Sequence, residues 1–126
     1  MSTVINGTQR TFTATGTMSA YILAKLDTDG SVSTATKAAS GETRVGFTTR
    51  EVLSAGDSTG IALLNGGGTA YAIAEGTITN AGTALYGASG GKVSPTLTSA
   101  GGVIGFSLTG SIAANDVIEV LLHESA

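Results

Sequence analysis

The chain carries one β-type pattern twice, and this repetition restricts its possible folds more than any other feature. Residues 44–64, RVGFTTREVLSAGDSTGIALL, are answered by residues 103–123, VIGFSLTGSIAANDVIEVLLH. Gly46-Phe47 matches Gly105-Phe106. Ser54-Ala55-Gly56-Asp57 matches Ala113-Ala114-Asn115-Asp116, and Ile61-Ala62-Leu63 matches Val120-Leu121-Leu122, all at one spacing. Upstream, Asp29-Gly30-Ser31-Val32-Ser33 matches Gly90-Gly91-Lys92-Val93-Ser94 at a slightly different spacing, so the loop between the two pieces is shorter in the second copy. One β-rich unit used twice explains both matches. The expected units are residues 20–64 and 83–123, with a connecting hairpin and spacer over 65–82. Residues 1–17 are expected to form a flexible N-terminal arm ahead of a single β domain over 18–126.

Composition supports strands. Gly and Thr are poor in helix interiors, whereas Thr and Val suit a pleated sheet. The 19 glycines fit many tight turns between short strands. With no Trp, three Phe and three Tyr, the core must be built from small apolar side chains. A chain of 126 residues fits one domain. The expected fold is therefore all-β: a compact β-sandwich or barrel-like domain of two similar units, with an extended N-terminal arm.

The strands can be placed by alternation and turn chemistry. Residues 19–26, 31–34, 44–49 and 59–64 read as strands of the first copy, with one short helical turn over 50–57. Residues 69–75 form a further strand, and residues 83–86, 92–94, 103–108 and 117–123 the strands of the second copy. Val117, Glu119 and Leu121 alternate with Ile118, Val120 and Leu122, which suggests a strand buried on much of both sides, with Glu119 near an edge or interface. Tyr21, Tyr71 and Tyr86 fit core packing.

Few residues could carry chemistry. Asp27 and Asp29 resemble part of a calcium loop, but placing Gly30 at that loop's glycine puts Lys25 in the first ligand position and Thr36 in the closing one. The pair reads as a hairpin turn. Asn65-Gly66-Gly67-Gly68 lacks the Lys-Ser or Lys-Thr of a phosphate loop, and a strand follows it. The sole histidine, His123, stands beside Glu124 with no nucleophile elbow elsewhere. Asp57, Glu75, Asp116 and Glu119 are the carboxylates from which a hydrolytic pair could be drawn. Asp57 and Asp116 occupy equivalent repeat positions, which favours a turn role used twice. No enzyme activity, cofactor or metal is expected. The net charge is −3 with only six Lys and Arg, so phosphate neutralisation of a nucleic acid is not expected. No apolar run is long enough for a membrane span. Cysteine is absent. Residues 1–16 lack the basic and apolar regions of a signal peptide, and the protein is expected to be made in the cytoplasm.

Taken together, several pieces resemble a known family: Leu26-Asp27-Thr28-Asp29-Gly30-Ser31-Val32, Val45-Gly46-Phe47, Ala84-Leu85-Tyr86, Gly91-Lys92-Val93 and Ile104-Gly105-Phe106, behind a polar arm. The chain resembles the small capsid decoration proteins of tailed bacteriophages, also called cement or head-stabilising proteins. That resemblance implies an all-β virion protein, often a homotrimer, on the outer capsid surface. There it would clamp the major capsid protein of the expanded head at three-fold or quasi-three-fold positions. It also implies an arm that orders on the capsid, with Val4, Ile5, Arg10 and Phe12 as the candidate capsid-binding residues. The alternative is a fibre or adhesin-type β domain that binds a host glycan.

Overall fold

The computed structural model describes residues 9–35, 43–64, 68–96, 103–110 and 113–123. The chain is all-β. The first five strands are β1 (Gln9–Thr13), β2 (Leu23–Leu26), β3 (Val32–Thr34), β4 (Thr43–Thr48) and β5 (Ser58–Leu63). The second five are β6 (Thr69–Ile73), β7 (Ala84–Gly87), β8 (Val93–Ser94), β9 (Gly105–Ser107) and β10 (Val117–Leu122). They make two five-stranded sheets with the orders β1-β5-β4-β2-β3 and β6-β10-β9-β7-β8. The two orders are the same topology written twice.

The repeat is therefore larger than the sequence match. Gln9–Thr13 was expected in the arm, yet it pairs antiparallel with the whole of β5. Thr69–Ile73 was expected in the connecting segment, yet it pairs with β10 in the corresponding place. Each of β1 and β6 pairs on one side, with the open side of β5 or β10, and as an edge strand leaves its other row of backbone groups outside the ladder. Residues beyond β1 are also held: Ala14 forms a parallel bridge to Val32, and Ala74 forms one to Val93. These bridges draw the two edges of each sheet together, so each unit curls toward a small barrel.

The matched Gly-Phe pairs have a steric cause. A Cβ at Gly46 would collide with the Ala62 carbonyl and the Ile61 side chain. At Gly105 it would stand 2.6 Å from the Leu121 carbonyl oxygen and crowd Val120. Only glycine lets these strands approach so closely.

Hydrogen bonding repeats in detail. The Tyr21 N–H donates to the Thr48 carbonyl and the Gly82 N–H to the Ser107 carbonyl. Ala14 N–H donates to Asp57 O at 2.9 Å, and Ala74 N–H to Asp116 O at 2.9 Å. Buried hydroxyls stand at one equivalent position. Thr48 Oγ1 donates to Ser19 O at 2.8 Å and accepts from Ile22 N at 3.1 Å. Ser107 Oγ donates to Asn80 O at 3.0 Å and accepts from Thr83 N at 3.1 Å. Each hydroxyl ties the segment before the second strand of its unit to the fourth strand.

Two local expectations change. Residues 50–57 contain no helical turn; Val52 instead bridges Met18, with N–H to carbonyl bonds in both directions at 3.1 and 2.8 Å. The strand expected from residue 19 begins at Leu23, because Tyr21 takes a left-handed backbone with φ 63°. Its counterpart Gly82 has φ 81°.

The faces of the two sheets have different fates. Side chains alternate across a strand, so cross-strand partners define each face. On the first sheet, Ala24, Gly46, Thr48 and Ile61 point inward, into a cluster containing Phe12, Met18, Ile22, Val32 and Val52. Leu23, Phe47 and Ala62 lie on the outer face and are also buried. They share a second cluster with Ala72, Leu85, Val93, Ile118, Val120 and Leu122 of the other unit. Strand β6 lies against β4, and a short 3-10 turn at Ser89–Gly91 lies against β2.

Candidate functional site

Of the four arm residues singled out, Val4 and Ile5 lie outside the described residues. Arg10 is exposed on β1, with its guanidinium 5.0 Å from the centre of the Phe12 ring. Phe12 itself is buried in the core of the first unit, so it holds β1 in place rather than reaching outward. It pairs with Thr59, on the same inward face as Ile61.

The carboxylates do not converge. Asp57 Oδ2 accepts from the Ser54 N–H at 3.2 Å, and Asp116 Oδ2 from the Ala113 N–H at 3.0 Å. Each closes the corner leading into the last strand of its unit, as the repeat predicts. Glu75 is exposed, and Glu119 stands opposite Tyr71 across the β6–β10 ladder. His123 is exposed, its ring 5.7 Å from that of Phe106. Among the described residues no three His, Asp or Glu side chains form a group that could hold a metal ion. Asp29 accepts from both the hydroxyl and the N–H of Ser31, which holds its carboxyl below the usual aspartate range, the hydroxyl bond being the larger cause. Asp27 accepts from Ser33 at 3.2 Å and from Thr15 at 3.3 Å. Both aspartates thus brace the hairpin between β2 and β3. The Arg44 guanidinium lies over Gly87 of the second unit, its Nε buried with no hydrogen-bond partner.

One feature escaped the reading of the sequence. Of the six large apolar side chains exposed among the described residues, four belong to one region: Tyr71, Leu108, Val117 and Leu121. Tyr71, Val117 and Leu121 lie on the outer face of the second sheet with half-buried Ile73 and Phe106, as the register shows. Leu108 follows β9 and donates its N–H to Glu119 O. Strand β10 is therefore buried on one face only, with Val117 53% and Leu121 43% exposed. Tyr71 is 55% exposed and meets the edge of Tyr21 at 5.6 Å between ring centres, rather than sitting in the core. A position-by-position comparison of the two copies would have revealed the face. Where β6 and β10 carry Tyr71, Ile73 and Val117, β1 and β5 carry Thr11, Thr13 and Ser58. Those three polar residues are exposed.

No family model matches the sequence, and no curated protein matches it. A solved structure does share the fold. The chain superposes on the head fiber gp8.5 N base of bacteriophage phi29 with a TM-score of 0.66 and 18% sequence identity, over 94% of this chain and 97% of that one. The paired five-stranded units are thus the same fold as that phage head fiber base across nearly the whole of both chains.

Proposed function

We propose that this chain is a structural protein of a phage virion that binds the outer surface of the head and stabilises the expanded capsid. The carrying observation is the near full-length likeness to a head fiber base. The partner in this reading is the major capsid protein. The active form is a homotrimer at three-fold or quasi-three-fold positions, where three weak contacts made together give tight occupancy. With Phe12 in the core and β1 in the sheet, the contacts assigned to the arm contract to residues 1–8, including Val4 and Ile5, together with exposed Arg10. An extended segment can add a strand to an exposed sheet edge on the shell, with affinity supplied by its backbone.

Co-sedimentation of the purified chain with expanded heads and with unexpanded proheads tests the reading. Saturable binding to expanded heads is expected, with loss of binding when residues 1–8 are removed and β1 is left intact. Failure to bind either particle at any ratio would overturn it. The neighbour being a fiber base also favours a second reading, in which the chain is a fibre or adhesin-type domain recognising a host glycan. Exposed Tyr71 offers the kind of aromatic surface that sugar sites use. Saturable binding on a glycan array, abolished by Tyr71→Ala, would favour that reading over capsid stabilisation.

A further inference from the structure

We infer that the cleft between the two units is a binding site for a neutral saccharide, with Gln9, Tyr21, Thr49, Thr69, Tyr71 and Glu119 as its contact residues. This deepens the second reading above and rests on it, but not on capsid binding. The cleft has a volume of about 330 Å³ and takes its lining from both units. That is near the small end of the roughly 300–1,000 Å³ range of small-ligand sites and gives room for a terminal sugar ring. Its chemistry is mixed. Tyr21 and Tyr71 supply aromatic surface. Their rings meet at 63° with 5.6 Å between centres, so they form a corner rather than a closed stack. Around them stand an amide, two hydroxyls and a carboxylate, from Gln9, Thr49, Thr69 and Glu119. Amides and hydroxyls donate and accept, and a carboxylate accepts. A sugar presents the matching combination: C–H faces that pack on aromatic rings, and hydroxyls that donate and accept. No Lys or Arg stands among the described lining residues, and Glu119 brings negative charge. Phosphorylated, sulfated and acidic sugars are thereby disfavoured.

Two features of the backbone set these side chains in place. Tyr21 holds a left-handed φ of 63°, a strained conformation for a bulky side chain. Its counterpart in the second copy is Gly82, with φ 81°, which glycine adopts without steric cost. The first unit therefore retains an aromatic side chain where the turn itself favours glycine. On β5, Gly60 lies under the Gln9 side chain. A Cβ there would collide with the Gln9 amide nitrogen and stand 3.3 Å from Thr49 Oγ1. Thr49 Oγ1 in turn donates to the Gly60 carbonyl at 3.1 Å. The repeat shows that a unit folds without this set. In the register that equates Ala62 with Leu121, the second copy has Thr69 in place of Gln9 and Glu119 in place of Gly60. Leu108 stands in place of Thr49. The same topology thus forms with either set of residues, and the polar and aromatic ones converge where the two units meet.

The test is a glycan array carrying neutral, sialylated and sulfated oligosaccharides, probed with the full chain, followed by calorimetric titration of the strongest neutral oligosaccharide. Saturable binding confined to neutral glycans is expected. Tyr21→Gly and Tyr71→Ala should each weaken it by roughly tenfold or more, through loss of aromatic surface. Gln9→Ala and Glu119→Gln should each weaken it by roughly threefold to tenfold, through loss of a hydrogen bond. Thr13→Ala, at an exposed position of β1 outside the cleft, is the control and should bind as wild type does. Tyr21→Gly separates binding from folding. Glycine suits the left-handed backbone, so its melting temperature is expected to match or exceed that of wild type while binding falls. Absence of binding to every saccharide overturns the inference, as does binding confined to acidic glycans. Neutral-glycan binding that none of the four cleft variants weakens also overturns it, while leaving the second reading standing with its site elsewhere. Co-sedimentation with expanded heads is measured in parallel, and head binding without any glycan binding would overturn both the site and the second reading while leaving the capsid role intact.

Discussion

The two units share a topology and a hydrogen-bonding scheme, yet one is enclosed and the other is open. Phe47 and Phe106 show the contrast in a single pair. They follow equivalent glycines and occupy equivalent places on the outer face, but Phe47 is fully buried while Phe106 is half-buried beside His123. Backbone design is thus separable from solvent exposure in this molecule. The glycines, the buried hydroxyls and the corner aspartates recur because each unit needs them to fold. The outer-face residues diverge because the first unit has a neighbour within the chain.

This contrast can be broken or sharpened by paired substitutions. The largest effect is expected from Phe47→Ala, at about 3–5 kcal/mol for a large buried aromatic. Phe106→Ala should cost about 1 kcal/mol in the monomer, since much of its ring is already in water. Urea unfolding of both variants in dilute solution reads the difference directly, and equal losses would show that the second outer face is closed within a single chain. An intermediate effect is expected at the buried hydroxyls. Thr48→Val and Ser107→Ala should each cost roughly 1–3 kcal/mol, because a backbone donor and an acceptor lose their common partner. If only one of the two destabilises the protein, the shared bonding scheme is not a shared source of stability.

The smallest effect concerns pH and belongs to the first unit alone. Asp29 has a depressed pKa in the folded chain, caused first by the Ser31 hydroxyl and then by the Ser31 N–H. A carboxylate held in this way stabilises the fold above its unfolded pKa of about 3.9 and loses that contribution as pH falls through the lower folded value. Asp29→Asn should therefore lower the melting temperature slightly at neutral pH, with the gap to wild type closing as pH falls below about 3.9. The corresponding position in the second unit is Gly90, which has no carboxylate to titrate. An unchanged acid profile in Asp29→Asn would remove Asp29 from the sources of acid sensitivity.

Much of the architecture was legible in the residues. The Gly-Phe pairs, the Asp57 and Asp116 corners and the aligned apolar runs identified a β unit used twice, and the structure places them as equivalents. The ends of the repeat were not legible. Gln9–Thr13 and Thr69–Ile73 share almost no residues, because an edge strand is held by backbone bonds that any side chain permits. Phe12 was assigned to an arm for the same reason: a lone aromatic among threonines gives no sign of the strand it will join. The helical turn expected over 50–57 failed because the Met18–Val52 bridge satisfies that backbone from a distant segment.

The residues by themselves determined that the chain forms strands, where it turns, and that it does so twice. These properties follow from local chemistry: glycine at a close approach, aspartate at a corner, and alternation along a strand. Only the tertiary structure decided which apolar positions are core and which remain surface. Val117, Leu121 and Tyr71 belong to the same strand patterns as Ile118, Val120 and Ala72, and what separates them is the presence or absence of a packed neighbour. Burial is a property of two surfaces brought together, and a sequence pattern records only one of them.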